Sequence, residues 1–225
     1  MAAEPGKMTK IQESDEDACV TSALKCSYSY SPCPSCGVIT SFSGRPRVNR
    51  KGSSDWCDAK AGIAVGTGDT VKICGKGSDA GKLRLVFYNS GIVQDAGPGT
   101  TFKFGQLALL PLPSAPKKVV VESFKGSLHF MVERGTEPFI LSAGGFTALI
   151  RNADVLLQSS GGKMAFKLLD GKADVQLEAP AETASLSPGQ MIEIKEGGKA
   201  SAPQKFEPEK EDAWWADLVS KYPKE

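Results

Sequence analysis

Short runs of aliphatic, β-branched and aromatic residues follow one another from Val38 to about Lys195, and Gly, Pro, Asn or Asp separates each run from the next. Runs of this length and spacing are typical of β-strands. The clearest are Leu83–Tyr88, Lys118–Phe124, Leu128–Val132, Thr147–Ile150, Asp154–Leu157, Met164–Leu169, Ala173–Leu177 and Met191–Ile194. No amphipathic stretch of about 12 residues interrupts them, as a parallel α/β sheet would require. The pattern predicts an all-β fold of repeated short strands, either a β-sandwich or a β-solenoid.

The apolar positions near the end of the chain repeat at helical spacing and form one stripe. They are Trp214, Trp215, Leu218, Val219 and Tyr222. Pro208 suits the first turn of a helix and Pro223 ends it, so residues 198–225 are predicted to form a linker and a C-terminal amphipathic helix. Two interpretations of the stripe stay open. It either docks on the β body or binds a partner, because paired tryptophans are typical interface anchors.

The start of the chain differs in composition from the rest. Residues 1–18 are polar and become acidic toward their end, so we expect a loosely ordered lead. Residues 19–37 hold four of the six cysteines and are predicted to form a disulfide-stapled segment. The predicted β domain then spans residues 38–197.

All six cysteines lie in the first third of the chain: Cys19, Cys26, Cys33, Cys36, Cys57 and Cys74. An even number confined to one region favours three disulfides and an exported protein, periplasmic or secreted, with the pairing left open. No signal peptide is visible after Met1, so we expect a mature form from which it has been removed. Two other interpretations stay open. Cys33, Cys36, Cys57 and Cys74 could bind zinc, or Cys33-Pro-Ser-Cys36 could be a redox motif.

Charge and histidine content exclude several classes of function. The chain has 27 Lys and Arg against 26 Asp and Glu, so it lacks the positive field on which nucleic-acid binding relies. No apolar run approaches the roughly 18 residues of a membrane span. The single histidine, His129, excludes metal centres built on several histidines. Alternation places His129 on the outward face of a strand, opposite Leu128 and Phe130.

Candidate catalytic groups are few. Asp154, Asp170 and Asp174 lie close together in sequence and could supply the paired carboxylates of a glycosidase, but roles in turns explain them as well. Two glycine-rich stretches, Gly66-Thr67-Gly68 and Gly97-Pro98-Gly99, lack the Lys-Ser/Thr of a phosphate loop. We therefore expect a protein that is not an enzyme, with no catalytic residue, no metal and no cofactor.

Three segments share a spacing in which an apolar residue precedes glycine by two positions and a second apolar residue follows the glycine by four. These are Phe42-Ser43-Gly44 to Val48, Phe124-Lys125-Gly126 to Phe130, and Leu169-Asp170-Gly171 to Val175. Glycine at such a place permits a turn with positive φ before the next strand. A second echo pairs Gly68–Ile73 with Gly189–Ile194. Together the echoes predict a repeated β unit whose strands bury a shared core.

Over about residues 38–195, the order of these motifs resembles the FecR-like domain, named after the ferric-citrate regulator of bacterial envelopes. The matching stretches are Gly44 to Val48, Gly68-Asp69-Thr70-Val71, Gly91-Ile92-Val93 with Pro98-Gly99-Thr100, Gly126 to Phe130, Ala148 to Val155 and Leu186 to Ile192. The sequence departs from the family at Asn152-Ala153, where Gly-Thr is usual. Because Asn also adopts the left-handed conformation, we expect the turn to be kept.

The resemblance implies an extracytoplasmic, bacterial β module that is used for protein contacts, as in regulators that connect a receptor to an anti-sigma segment. The sequence shows neither an anti-sigma region nor a membrane span. We therefore expect a stand-alone exported relative that binds or scaffolds another envelope or extracellular protein, with signalling as one such role. The candidate partner-binding residues are Trp214, Trp215, Leu218, Tyr222, Arg45, Arg47, Arg50 and Lys51.

Three alternatives stay open beside this expectation. A cell-wall or carbohydrate-binding protein could use Trp56, Tyr88 and Trp214 as stacking platforms. A structural subunit of an extracellular assembly could self-associate by pairing exposed edge strands. The basic residues from Arg45 to Lys51 could bind an anionic polymer or simply protect a strand edge from pairing.

Overall fold

The computed structural model describes residue 19 and residues 35–75, 80–87, 90–109, 116–133, 137–177, 182–195 and 199–219. Within them the chain is almost entirely β-structure, which confirms the predicted fold class. The strands are β1 (Gly37–Ser43), β2 (Arg45–Asn49), β3 (Trp56–Asp58), β4 (Ala64–Val65), β5 (Thr70–Cys74), β6 (Lys82–Phe87), β7 (Ile92–Ala96), β8 (Thr101–Ala108), β9 (Lys117–Val132), β10 (Phe139–Ala143), β11 (Phe146–Ser160), β12 (Lys163–Leu177), β13 (Thr183–Leu186), β14 (Gln190–Lys195) and β15 (Gln204–Lys205).

These strands form one continuous open sheet that divides into two ladders. The first ladder has the order β15-β14-β12-β11-β9-β7-β6-β1-β4. The second has the order β3-β2-β5-β8-β9-β10-β11-β12-β13. The long strands β9, β11 and β12 each give one half to each ladder. Among the described pairs, only β9 and β10 run parallel.

Each long strand passes from one ladder to the other at a residue with positive φ. β9 does so at Gly126 (φ 102°), β11 at Asn152 (φ 46°) and β12 at Gly171 (φ 87°), while Gly44 (φ 67°) joins β1 to β2. A positive φ turns the chain out of the line of an extended strand, which favours glycine or asparagine. The repeated glycines thus lie at the bends, and the predicted left-handed Asn152 is confirmed.

Three pairs of predicted strands prove to be the halves of single long strands. The run that ends at Phe124 and the run that begins at Leu128 are both parts of β9, because hydrogen bonding continues through Gly126 to new neighbours. The same holds for the two halves of β11 and of β12. The prediction placed the breaks correctly, but each break is a bend rather than a loop.

The core lies between the two ladders, which face each other. Phe87 of the first ladder meets Phe104 of the second edge to face at 6.0 Å between ring centroids. Phe166 and Phe146 meet in the same way at 5.4 Å. The buried apolar side chains of both ladders form one cluster. This double-layered packing places one face of each strand inside and leaves the other face as a surface on which function can be built.

The predicted C-terminal amphipathic helix is not supported. The described residues form a 3-10 turn at Pro208–Lys210 and one short helix, α1 (Ala216–Val219). Of the predicted stripe, Trp214, Trp215 and Leu218 pack against Leu156 of the sheet, whereas a helix this short gains little from backbone hydrogen bonding alone. Tyr222 and Pro223 lie outside the described residues.

Four cysteines lie within the described part of the chain, and all four are in disulfides. Cys19 is bonded to Cys74, and Cys36 and Cys57 are likewise disulfide-bonded. A disulfide leaves no thiolate to bind zinc, so these four do not support the zinc interpretation. The redox interpretation is not tested, because Cys33 lies outside the described residues. Cys26 and Cys33 lie outside the described residues, as do residues 1–18.

No helix among the described residues has the length and apolar character that a membrane crossing requires.

Candidate functional site

His129 is buried, which corrects the expectation that it faces outward to solvent. Alternation assigned its face correctly, because Leu128 and Phe130 point into the core and His129 points to the opposite side. That opposite side is covered, however, and His129 is only 1% exposed. The indole ring of Trp215 stacks on the imidazole at 4.4 Å between centroids, with 14° between the planes. The C-terminal segment therefore closes over this histidine.

Four neighbouring strands of the first ladder place one ionisable residue each around this point. Arg84 on β6 lies opposite Asp95 on β7, and Asp95 lies opposite His129 on β9. Asp154 comes from β11, at the bend that follows Asn152. Antiparallel register places Arg84, Asp95 and His129 side by side on one face, and Asp154 joins them where the register of β11 shifts at the bend.

The contacts within this row are short and specific. Arg84 donates through Nε and Nη2 to the two carboxylate oxygens of Asp95, each at 2.6 Å. His129 lies between two carboxylates, with Nδ1 3.3 Å from Oδ2 of Asp95 and Nε2 hydrogen-bonded to Oδ1 of Asp154. A bidentate guanidinium–carboxylate pair holds both planes in a fixed orientation.

Opposing influences set the pKa of His129. Burial, the largest of them, lowers the pKa because desolvation disfavours the imidazolium. Hydrogen bonds to Asp154 and Asp95, and the negative charges of both carboxylates, together outweigh burial and raise the pKa above its ordinary value of 6.5. Protonated His129 and Arg84 then balance the two aspartates, so the row carries no net charge.

The segment from Trp214 to Leu218 is seated on this row by side chains and backbone. Trp214 and Leu218 are buried against Leu156 of β11. The Trp214 indole lies directly on Gly97, where an added Cβ would be 2.9 Å from the ring. The backbone oxygen of Leu218 accepts a hydrogen bond of 2.9 Å from Nη1 of Arg84. We call Arg84, Asp95, Gly97, His129, Asp154 and Leu156 the tryptophan site.

One ion pair attaches the segment that precedes Trp214 to the sheet. Lys167 on β12 donates to Glu211 at 2.6 Å, and both side chains are largely buried. The same ammonium lies 5.6 Å from the centroid of the Phe206 ring. These contacts direct the chain from β15 across the first ladder, and they explain why the predicted stripe docks on the β body.

The predicted basic group does not form one continuous strip. Arg45 is exposed and Arg47 is buried, 3.7 Å from Asp58. Arg50 donates to Asp69 and to the backbone oxygen of Ala64, each at 2.6 Å. Arg45 and Arg47 lie on β2, whereas Arg50 and Lys51 lie in the loop that follows it, so neighbours in sequence reach different surroundings.

Arg50 and Lys51 line a pocket of about 430 Å3. Lys103 and Glu122 also line it and form an ion pair of 2.8 Å. With Arg50 held by Asp69, the cations of this pocket are largely balanced by carboxylates, which leaves little net field to attract an anionic polymer.

The aromatic residues considered for carbohydrate stacking are not brought together. Trp56 is half-buried on β3, in the second ladder, whereas Trp214 is buried in the tryptophan site of the first. Tyr88 lies outside the described residues. A buried Trp214 offers no open ring face for a sugar in this structure.

Sequence reasoning identified Trp214, Trp215 and Leu218 but not the residues that receive them. Arg84, Asp95 and Gly97 belong to this group. A signal was present, since charged residues alternate with apolar ones in Leu83-Arg84-Leu85 and precede a glycine in Asp95-Ala96-Gly97. The register that aligns them across strands is set by tertiary structure, so the pattern alone did not connect them.

Comparisons with known proteins give fold similarity only. No protein-family model matches this sequence, and no curated protein matches it. Two solved structures from Parabacteroides distasonis, each described as a candidate anti-sigma factor, are similar. One has a TM-score of 0.45 with 20% identity over 57% of this chain and 57% of that one. The other has a TM-score of 0.47 with 17% identity over 63% of this chain. The matches cover 57% and 61% of the lengths of these two neighbouring proteins, which is less than two thirds of each.

Proposed function

We propose that this protein is an exported, non-enzymatic FecR-like module that binds another envelope or extracellular protein. The observation that carries the proposal is the tryptophan site. It is a surface of the sheet that recognises a polypeptide segment through a slot over Gly97, a stacking face on His129 and a backbone hydrogen bond from Arg84. A fold that holds a segment in this way has the means to act as a protein-binding module.

The disulfides support a location outside the cytoplasm, because thiols are kept reduced inside it. Intact mass with and without alkylation under denaturing conditions tests this point. Native protein that takes up no alkylating group supports export, whereas six alkylatable thiols would contradict it.

A non-enzymatic role is supported by how the ionisable groups of the tryptophan site are used. Asp95 is held by Arg84, and His129 is held by two carboxylates beneath a stacked indole. A general base needs a ring nitrogen that can accept a proton from its substrate, and both ring nitrogens of His129 are held by carboxylates. Replacing His129 with Gln should therefore leave unchanged any enzymatic activity that is detected in a purified sample.

Site-specific photocrosslinking in the host cell tests protein binding. A photoreactive residue is placed at exposed Phe42, at Lys51 or at Trp215, and adducts are identified by mass spectrometry. A discrete adduct with one envelope or extracellular protein supports the proposal. Retention of the purified monomer on peptidoglycan or glycans would favour the carbohydrate alternative instead. Assembly that grows with concentration in light scattering would favour the structural subunit.

A further inference from the structure

The covered face of the first ladder has a composition unlike that of a permanently buried face. The inner faces of β6 and β9 carry Leu83, Leu85, Leu128 and Phe130. The outer faces of β6, β7 and β9 carry an arginine, an aspartate and a histidine that are between 0% and 1% exposed. Burying such charges incurs a desolvation penalty, and apolar residues of similar volume are often at least as stable. A charged face suits a surface that is open to water for part of the time.

The cover over this face is the C-terminal segment from β15 to Leu218. It is connected to the body through the two residues of β15 and the ion pair between Lys167 and Glu211. Beyond that point, its described part comprises Trp214, Trp215, Leu218 and a helix of four residues. The described residues of the cover after β15 pair with no strand, so opening it disrupts none of the ladder pairings from β1 to β14.

The receiving groups are specific for a tryptophan-bearing segment. Gly97 leaves room for a flat indole, because any side chain there meets the ring at 2.9 Å. His129 offers a planar, protonated ring, which attracts the face of a second indole. Arg84 fixes the backbone that follows through the carbonyl of Leu218.

We propose that the tryptophan site is the docking site for a tryptophan-bearing segment of a partner protein, and that residues Trp214–Leu218 occupy it in cis until the partner's segment displaces them. This inference rests on the proposed function and names the partner chemistry and the regulation of that module. The C-terminal segment acts as a built-in competitor, so partner binding requires an affinity that exceeds the cis contact at its effective concentration.

Protons modulate the competition between the two occupants. The groups that face His129 are Asp95 from β7, Asp154 from β11 and the Trp215 ring from the cover, with Arg84 acting through Asp95. Loss of the His129 proton leaves one uncompensated negative charge in the row and weakens the indole contact. Both occupants are expected to bind more weakly at high pH.

The test uses the full chain with Trp214→Ala and Trp215→Ala, which empties the site. The probe is a fluorescein-labelled peptide of the sequence Glu-Asp-Ala-Trp-Trp-Ala-Asp-Leu-Val, with a peptide carrying Ala-Ala in place of Trp-Trp as its control. Fluorescence anisotropy at about pH 6 measures binding. We expect the emptied protein to bind the probe at least about 10-fold more tightly than the wild type does, and to ignore the control peptide.

A third substitution locates the binding. Gly97→Val in the emptied protein fills the slot and is compatible with the backbone, because Gly97 is not among the residues with positive φ. We expect it to abolish probe binding while circular dichroism stays unchanged. Binding that survives Gly97→Val, or no binding by an emptied protein that is folded, would overturn the inference. Dimers formed by exchange of the C-terminal segment would make a second copy the occupant and would also overturn it.

A second measurement applies if the emptied variant does not fold. The probe is added in excess to the wild type at about pH 6, where His129 is protonated, and deuterium uptake of residues 211–219 is followed by mass spectrometry. Increased uptake shows displacement and supports the inference, whereas unchanged uptake contradicts it. Failure here leaves the proposed function standing if photocrosslinking from Phe42 or Lys51 still captures a partner, because that partner would bind elsewhere.

Discussion

At the scale of single residues, the effect of a buried polar side chain on stability depends on its hydrogen-bond partners. His129 lies on a strand face that alternation marks as outward, yet it is enclosed by two carboxylates and an indole. Gln94, on the neighbouring strand β7, is fully buried on the core side between Leu85 and Phe130. His129 has hydrogen-bond partners and Gln94 has none among the described residues, so their replacement should have opposite consequences.

The free energy of unfolding should depend on pH through His129. Its folded-state pKa is raised above 6.5, so the stabilisation is complete below pH 6.5 and is lost as pH rises through the folded-state value. Urea unfolding between about pH 5.5 and about pH 9 should show this loss in the wild type. His129→Gln should lack this part of the pH dependence. Equal pH dependence in the two proteins would show that His129 is not its source.

Gln94→Leu should stabilise the protein. The side-chain oxygen and nitrogen of Gln94 have no hydrogen-bond partner among the described residues, and the residue is 0% exposed. Removing an unsatisfied buried amide should raise the free energy of unfolding by about 1 kcal/mol. The control is Gln176→Leu at an exposed position of β12, which should change it by less than about 0.5 kcal/mol. Destabilisation by Gln94→Leu would indicate that the amide is satisfied.

At the scale of elements, the bends of the long strands determine the architecture. Asn152 of β11 and Gly171 of β12 lie beside each other where both strands pass between ladders. An added Cβ at Gly171 would be 2.1 Å from the backbone oxygen of Asn152. The two bends are therefore packed backbone against backbone, with no room for a side chain.

Gly171→Ala should be strongly destabilising, and Gly161→Ala provides a matched control. Both glycines have positive φ, 87° and 59°, but an added Cβ at Gly161 meets nothing within 4 Å. The control should lose about 1 kcal/mol from the backbone conformation alone. Gly171→Ala should lose more than about 3 kcal/mol, because the backbone must also move. Thermal or urea unfolding of both variants measures the difference, and similar losses would refute a steric role for the bend.

At the scale of the whole molecule, a disulfide connects the start of the chain to the sheet. Cys19 is joined to Cys74 at the end of β5, across a sequence separation of 55 residues. Such a link restricts the unfolded chain more than it adds contacts to the folded one. It ties a segment that precedes the sheet to the second ladder.

Replacing Cys19 and Cys74 together with Ser should lower the free energy of unfolding by about 2–4 kcal/mol, since the unfolded chain regains the entropy of an open loop. Urea unfolding of the oxidised proteins measures the loss. The wild type reduced in denaturant and alkylated should lose more, because Cys36 and Cys57 are also disulfide-bonded. A double variant as stable as the wild type would mean that the link does not constrain the unfolded chain.

Local sequence determined the strands, the bends and the polarity of each strand face. Alternation and turn residues act within a few positions, which is why the run from Leu128 to Val132 and the left-handed Asn152 could be predicted. The Cys-rich start likewise indicated disulfides through composition alone.

Tertiary structure decided which predicted segments join and what covers them. Gly126 ends an apolar run in sequence, but hydrogen bonds to new neighbours continue the strand through it. The row from Arg84 to His129 depends on register between strands 45 residues apart in numbering, and no local pattern specifies it. The sequence predicted a helical stripe because Trp214 and Trp215 are apolar and are followed by apolar residues at helical spacing. Their conformation is instead determined by contacts with Gly97 and His129 on the sheet. The sequence supplies both surfaces, and only long-range packing free energy brings them together.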